Sequence, residues 1–256
     1  MKTHNGFDMG LADYVLRLGD NCLILSQRLC AWCGHGPTLE EDLALSNVAL
    51  DYLGQARLWL DYAGSLHPVA RGEDELAFLR EAHEFRNVLL VEQPNQDFAD
   101  LQMRLFLFDS WYALVLAALA HSQDAQIAAI AAKSAKENAY HLRRSSHWIV
   151  RLAGGTELSR AKLLRALDGC WEYTGELFEM DELDRAMLER GIGCNLPDLR
   201  NKWQSYMKDV FDEAGIALPT GALRTQSGKR GEHSEHLVWL LMEMQYLQRA
   251  HPGAQW

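Results

Sequence analysis

The stretch Ala135-Lys136-Glu137-Asn138-Ala139-Tyr140-His141-Leu142-Arg143-Arg144 lies inside a long helical pattern that runs from about Asp124 to Ala153. An acid, an amide, a tyrosine and a histidine fall within about one and a half turns of this helix. The small and apolar residues around them are those expected in a packed core: Ala128, Ala131, Ala132, Ala135 and Leu142. The helix therefore places side chains that can bind metal on a predicted core face.

Four segments have the length and periodicity of long helices. They span about 11–33, 38–63, 97–121 and 124–153, and shorter helical patterns follow over about 156–256. At about 1.5 Å per residue, helices of this length would each extend roughly 35 to 45 Å. No stretch shows the alternation of a strand. We therefore predict an all-α fold, a large antiparallel four-helix bundle with additional C-terminal helices, forming one domain over 1–256.

The composition limits the classes of function. The chain has 256 residues, of which 48% are hydrophobic, which is enough for a sizeable core. A net charge of −10 disfavours a nucleic-acid partner. No apolar run reaches the ~18 residues of a membrane span, and the N-terminal residues 1–8 lack the apolar core of a signal peptide. The five cysteines are expected to be reduced thiols of a cytoplasmic protein.

A di-iron carboxylate bundle needs a particular set of metal ligands, and the sequence can be searched for that set. Such bundles use one Glu from each of two helices and Glu-x-x-His from each of two others. Side chains three apart on a helix point the same way, so the carboxylate can bridge two irons while the imidazole binds one. None of the ten histidines has an acidic residue three positions before it. The usual ligand set is therefore absent from the sequence.

Some positions in the sequence match this ligand pattern only in part. The residue three before His141 is Asn138, and an uncharged amide cannot bridge two irons as a carboxylate does. Asp51 is followed three residues later by Gly54, and Asp109 is a lone acid in an apolar helix. A buried acid without a metal must be hydrogen-bonded or paired. We expect a metal-free polar network, with a degenerate metal site or solvated groups at a helix edge as alternatives. Its candidate members are Asp51, Arg57, Asp109, Glu137, Asn138, Tyr140 and His141.

Two further patterns have the spacing of redox or metal motifs. Cys30 and Cys33 form a C-x-x-C at the C-terminal end of a predicted helix, where the helix dipole does not lower a thiol pKa. We expect them to pack in the core, with a redox or metal role as the alternative. His233 and His236 share a face at the start of the last helix, where capping and surface contacts are expected because no third ligand is near in sequence.

A glycine-rich basic segment covers residues 220–231 of this acidic protein. Its cations Arg224, Lys229 and Arg230 and its freed backbone amides precede a helix N-terminus, a combination that can bind phosphate. An exposed loop or a contact to an acidic partner are the alternatives.

The eight tryptophans indicate large packing surfaces, part of which we expect at an interface. Those on predicted helices or the tail are Trp59, Trp111, Trp148, Trp203, Trp239 and Trp256.

Four segments carry a specific combination of motifs. They are Leu18-Gly19-Asp20-Asn21-Cys22-Leu23-Ile24-Leu25-Ser26-Gln27-Arg28-Leu29, Leu50-Asp51-Tyr52-Leu53-Gly54-Gln55-Ala56-Arg57, Val91-Glu92-Gln93-Pro94-Asn95 and Glu243-Met244-Gln245-Tyr246-Leu247-Gln248-Arg249. Together they closely resemble the family of non-catalytic C subunits of bacterial phenylacetyl-CoA epoxidases, multicomponent ring-1,2-epoxidases of aerobic phenylacetate degradation. The resemblance extends over nearly the whole chain.

The resemblance implies a ferritin-like fold without iron, paired with a homologous catalytic subunit that carries the di-iron centre. It also implies a separate reductase, with flavin (FAD) and an iron–sulfur centre, that takes electrons from NADPH. Coenzyme A carries three phosphates, so the basic segment could contribute to acyl-CoA binding across a subunit boundary. The absence of Glu-x-x-His agrees with an iron-free subunit independently of the resemblance.

We therefore predict a cytoplasmic, metal-free structural subunit that binds and stabilises the di-iron catalytic subunit and contacts other subunits or the reductase. A competing hypothesis is a self-sufficient di-iron oxygenase or ferroxidase with an altered ligand set of Asp51, Asp109, Glu137 and His141. A third is a free-standing homodimer with a regulatory role.

Overall fold

The computed structural model describes residues 8–254, and all regular secondary structure in that range is helical. Within it, ten α-helices are joined by turns and three short 3₁₀ segments. The helices are α1 Met9–Cys30, α2 Leu39–Ser65, α3 Glu73–Phe78, α4 Leu89–Glu92, α5 Phe98–Leu119, α6 Ala125–Ala153, α7 Glu157–Trp171, α8 Glu182–Glu189, α9 Leu196–Ala214 and α10 Glu235–Ala250. The predicted all-α class, with four long helices (α1, α2, α5 and α6) and further C-terminal helices, is confirmed and agrees with a ferritin-like helical fold.

The chain folds into two compact units. The first comprises the residues up to Pro94 together with those from Gln226 onward, and the second comprises Asn95–Thr225. A single domain over 1–256 stays a prediction. Residues 1–7 and 255–256, which include the N-terminal segment and Trp256 of the sequence predictions, lie outside the described residues.

Side-chain caps fix the starts of the long helices. The Asp97 carboxylate accepts hydrogen bonds from the amides of Ala99 and Asp100 at the start of α5. The Thr38 hydroxyl accepts from the Glu41 amide at the start of α2. An N-cap side chain satisfies an amide that has no partner inside the helix, so these polar residues set the helix boundary.

The end of α1 differs from the prediction. The helix stops at Cys30, not Cys33, and residues 31–34 form a turn in which Gly34 has φ +84°. That turn leaves both Cys30 and Cys33 exposed, so the expectation that they pack in the core is wrong. The physical reason is that the apolar period of α1 ends at Leu29, which is buried, and the chain then turns toward α2.

Two other helix boundaries also differ from the prediction, because side chains near them are buried. The sequence predicts one short helix over about 73–85, whereas the structure has α3 followed by a 3₁₀ turn at Ala82–Glu84, with the buried Arg80 between them. The sequence predicts that the last helix begins at Glu232, but α10 begins at Glu235, since the residues before it bind the buried carboxylate of Glu92. The sequence also predicts an extended connection over residues 87–95 that is buried at Val88–Val91; these residues are buried, but the connection includes the single turn of α4.

In the first unit, α1 packs along α2 and α10 contacts α3 and α1. Gly19 permits the close approach of α1 to α2, because a Cβ atom there would lie 2.8 Å from Leu60 Cδ2. Ser26 Oγ donates a hydrogen bond to the Ala49 carbonyl at 2.8 Å and ties the same two helices. The two helices are therefore closely packed.

In the second unit, α5 packs against α6, α7 and α9. Among residues 8–254, α5 is the one helix long and apolar enough to cross a membrane, and 78% of its apolar window is buried inside the protein. Trp111 Nε1 donates to the Leu177 carbonyl and Trp203 Nε1 donates to Ser110 Oγ, each at 2.8 Å. Packing within the protein thus accounts for the apolar surface of α5.

Candidate functional site

The candidate ligands of the second unit lie on two helices that pack along each other. Asp109 is on α5, and Glu137, Asn138 and His141 are on α6. Asp109 and Asn138 are fully buried and His141 is 2% exposed. Asp109 is buried because α5 is covered by α6, α7 and α9, and the other two because they lie on the inner face of an amphipathic α6.

Hydrogen bonds join these residues directly. Asn138 Nδ2 donates to the Asp109 backbone carbonyl at 2.9 Å, and Ser145 Oγ donates to Asp109 Oδ2 at 2.9 Å. The sequence prediction placed Asp109 and Asn138 in one polar network, and the structure brings them together. Ser145 was not predicted; its position seven residues after Asn138, on the same helix face, was the available signal.

The other predicted members are more exposed or belong to the first unit. Tyr140 is 46% exposed and Glu137 is half-buried, because both sit on the outer side of α6. In the first unit, Asp51 is half-buried on α2, while Arg57 is exposed and forms an ion pair with Glu73 at 2.7 Å. Arg57 therefore belongs to the contact between α2 and α3.

The ligand set of the second unit does not fit a di-iron centre. The place of the carboxylate three residues before His141 is held by Asn138, whose amide nitrogen already donates to a backbone carbonyl. Asp109 holds a hydroxyl donor on its carboxylate. Over residues 8–254, no three His, Cys, Asp or Glu side chains are grouped as a metal site requires.

The sequence motifs of the first unit converge on one segment, residues 76–94, which we call the anchored segment. Asp20 on α1 is buried, forms an ion pair with Arg80 and accepts from the Arg86 amide at 2.8 Å. Asn21 Oδ1 accepts from the Val88 amide at 2.8 Å. Adjacent residues of α1 thus hold the anchored segment at two places.

A buried carboxylate, Glu92, binds the start of α10 to the same segment. Its Oε2 lies 2.8 Å from His233 Nδ1 and accepts from Asn87 Nδ2 at 3.0 Å, and its Oε1 accepts from the Ser234 amide at 2.7 Å. Arg28 donates to the Glu92 carbonyl at 2.9 Å. We call Glu92, Asn87, His233 and the Ser234 amide the Glu92 cluster.

The contacts of His233 in this cluster favour its charged form. Its second ring nitrogen, Nε2, lies 2.9 Å from the Phe85 carbonyl, so both nitrogens face acceptors, and only the imidazolium can donate to two. Burial lowers the pKa of His233, but the hydrogen bond and charge of Glu92 outweigh burial, so the pKa is raised above its ordinary value. The side chain is 4% exposed, which makes the expected surface role of His233 wrong.

Two residues of the recognised segment on α10 bind the other end of the anchored segment. Gln245 Nε2 donates to the carbonyls of Ala77 and Arg80 at 3.1 and 3.0 Å. Arg249 donates to the Arg80 carbonyl at 2.9 Å and pairs with Glu81 at 2.8 Å. Two of the four recognised segments, on α1 and α10, therefore bind one connection, which includes most of a third, and periodicity could not reveal this role.

The cations of the basic segment are ion-paired or buried. Arg224 pairs with Glu172 at 2.9 Å and its guanidinium lies 4.9 Å from the Tyr173 ring centre. In the other unit, Lys229 is buried and Arg230 pairs with Glu232 at 3.4 Å. Glycine is required at residue 228 by packing, since a Cβ there would lie 1.9 Å from the Asn87 carbonyl oxygen.

The tryptophans divide into core and surface. Trp59, Trp203 and Trp111 are at most 3% exposed, whereas Trp239 on α10 is 62% exposed. Trp148 is half-buried and packs edge-on against Phe98. The expectation of large packing surfaces is confirmed for the first three, whereas Trp239 is exposed and an interface role for it stays a prediction.

Comparison with known proteins shows the family of this chain. The family described as phenylacetic acid catabolic protein matches residues 2–256. The chain is also 49% identical over 247 residues to the C subunit of 1,2-phenylacetyl-CoA epoxidase from Escherichia coli (strain K12), covering 96% of this chain and 99% of that protein. The resemblance seen in the four sequence segments is thereby confirmed: the chain belongs to the phenylacetic acid catabolic protein family.

Proposed function

We propose that this chain is a non-catalytic structural subunit of a phenylacetyl-CoA epoxidase complex and that it binds and stabilises the di-iron catalytic subunit. The similar protein from Escherichia coli is named as the C subunit of that enzyme. The observation that carries the non-catalytic role is the Asn138–Asp109 hydrogen bond at 2.9 Å, where a metal-binding bundle would have a carboxylate beside iron.

The cofactors then belong to other components. The catalytic subunit holds the di-iron centre, and a reductase with FAD and an iron–sulfur centre supplies electrons from NADPH in the cytoplasm. This chain contributes a preformed frame, since buried ion pairs at Asp20 and Glu92 and the close α1–α2 packing fix its shape. A rigid surface lowers the entropy lost on assembly and so favours tight binding.

For the basic segment we propose a protein contact rather than a coenzyme A site. Glu172 and Glu232 already neutralise Arg224 and Arg230, so a phosphate would have to displace a carboxylate from each. The double variant Arg224→Ala, Lys229→Ala is expected to bind coenzyme A unchanged within the complex. A clear loss of affinity would restore the phosphate interpretation.

The test combines co-expression with metal analysis. A tagged copy of this chain is expected to copurify with the co-expressed di-iron subunit, and the isolated chain should hold no stoichiometric iron. Epoxidation by the di-iron subunit with the reductase and NADPH should require this chain, and Asn138→Ala should keep activity if the fold is retained. Two irons per chain with oxygenase or ferroxidase activity would support the self-sufficient enzyme instead.

A further inference from the structure

The C-x-x-C at the end of α1 has no part in the proposed function. Of the five cysteines, Cys30 and Cys33 are exposed, whereas Cys22, Cys170 and Cys194 are buried. Reaction with a dissolved oxidant needs an accessible sulfur atom, so buried thiols are inert and exposed thiols react. Thiol chemistry in the folded protein is therefore confined to one short stretch of the chain.

A tight turn brings the two exposed cysteines close together. The Cys33 amide donates to the Cys30 carbonyl at 3.0 Å, and Ala31 between them has φ −62° and ψ −15°, near the values of a type I turn. The first and last residues of such a turn have Cα atoms less than about 7 Å apart, and a disulfide needs a separation of about 4.4–6.8 Å. The backbone therefore brings the pair within reach of a disulfide bond.

Contacts with the start of α2 fix this turn. The amides of Gly34 and Gly36 donate to Asp42 Oδ1 at 2.8 and 3.0 Å. Glycine is required at residue 36, because a Cβ atom there would lie 2.7 Å from the Asp42 Cβ. Cys33 Sγ lies 3.6 Å from Ser46 Oγ on α2. A fixed turn gives the two thiols a high effective concentration for each other, so a reaction at one is followed by reaction with its neighbour.

The surroundings favour a disulfide over the other uses of this motif. A structural zinc site needs four ligands, and among residues 8–254 no third His, Cys, Asp or Glu is grouped with the pair. A catalyst that passes its disulfide on has a cysteine at a helix N-terminus, where the thiolate of the reduced form is stabilised. Cys30 is instead the last residue of α1. The reduced form lacks that stabilisation, so the pair accepts oxidation and keeps the disulfide.

We propose that Cys30 and Cys33 are a reversible dithiol–disulfide site that reacts with low-molecular-weight disulfides of the glutathione class. The thiolate of one cysteine attacks the small disulfide, whose S–S bond breaks and releases one small thiolate. The thiolate of the second cysteine attacks the mixed disulfide, forms the Cys30–Cys33 bond and releases the second small thiolate. The protein loses two electrons and two protons, and the small disulfide gains both as two thiols. This site does not depend on the proposed function.

Equilibration of the full-length chain with mixtures of reduced and oxidised glutathione measures the reaction, after acid quenching, alkylation and peptide mapping. The peptide that contains Cys30 and Cys33 is expected to lose two hydrogen atoms and to carry no glutathione, and dithiothreitol should restore both thiols. The Cys170 peptide of the same samples is the internal control and should stay reduced, because that thiol is buried. A disulfide between two chains, glutathione on both cysteines, or two thiols still reduced in the most oxidising mixture would overturn the proposal.

Single variants test the part of each sulfur atom. Cys30→Ser and Cys33→Ser should each carry glutathione on the remaining cysteine, since no second thiol can displace it. Half of that adduct should be removed at a concentration of reduced glutathione on the order of tenfold below the one that reduces half of the wild-type disulfide. Circular dichroism confirms that both variants are folded. A variant adduct as resistant to reduction as the wild-type disulfide would contradict the pairing of the two sulfur atoms.

Unfolding tests the part of the turn. In concentrated urea the chain between the cysteines is flexible, so their effective concentration for each other falls. The wild-type disulfide should then be reduced at a several-fold lower concentration of reduced glutathione than in the folded protein. A disulfide that resists reduction equally well, or better, in the unfolded chain would mean that the turn does not favour the bond, and the proposal would fail.

Discussion

Replacing Glu92 by alanine should unfold the first unit at much lower denaturant concentration. The substitution removes the acceptor for three groups at once: His233 Nδ1 at 2.8 Å, the Ser234 amide at 2.7 Å and Asn87 Nδ2 at 3.0 Å. Removing one partner of a buried ion pair typically costs about 3–5 kcal/mol, and each neutral donor left buried adds to that cost. We therefore expect the free energy of unfolding to fall by about 4 kcal/mol or more.

Urea denaturation followed by circular dichroism measures this loss. Glu92→Gln separates charge from shape, because it keeps the size of the side chain and one acceptor oxygen, and it should give an intermediate loss. Glu75→Ala is the matched control in the same unit: its ion pair with Arg71 joins side chains that are 42% and 34% exposed, so a loss of about 0.3–0.5 kcal/mol is expected. If Glu92→Ala and Glu75→Ala differ by less than about 1 kcal/mol, the Glu92 cluster does not stabilise the protein in this way.

Three further outcomes follow from individual side chains. Because the folded-state pKa of His233 is raised, its contribution to stability is complete below about pH 6.5 and is lost as pH rises through the raised value. The free-energy difference between wild type and His233→Gln should therefore shrink as the pH rises above about 6.5, and a difference that stays constant would contradict the charged form of His233. Asn138→Asp should destabilise the protein by about 1–3 kcal/mol, measured by urea denaturation, because it replaces the donor to the Asp109 carbonyl with an acceptor. In native protein, a thiol reagent should modify the exposed Cys30 quickly and leave Cys170 unmodified, since burial raises the pKa of Cys170 to about 12; peptide mapping after brief labelling checks both sites.

The Glu92 cluster also gives the recognised segments a physical meaning. Residues of α1 and of α10 lie far apart in sequence, yet both bind residues 76–94, the segment that contains Glu92. None of these contacts requires a metal or a substrate. The specific combination of motifs therefore describes how the chain holds its shape.

Several features could be predicted from the sequence because they depend on interactions between residues close together in the chain. The apolar period of each long helix and caps such as Thr38 and Asp97 act over about one turn, so their effect is written within a few residues. The absence of Glu-x-x-His can likewise be read from a short stretch of sequence, because the two ligands must share one helix face. These features predicted the all-α class, the long helices and the poor fit to iron.

The tertiary structure decided which of these side chains are buried and what they bind. His233 and Glu92 are 141 residues apart, and nothing near either one in sequence indicates that they form a buried pair. Cys30, expected in the core, is exposed because α1 ends there, and the apolar residues of α10 divide between core and surface according to the helices that cover them. Periodicity states that a face is apolar, but only the packing of distant elements determines whether that face is buried in the same chain or left for another molecule.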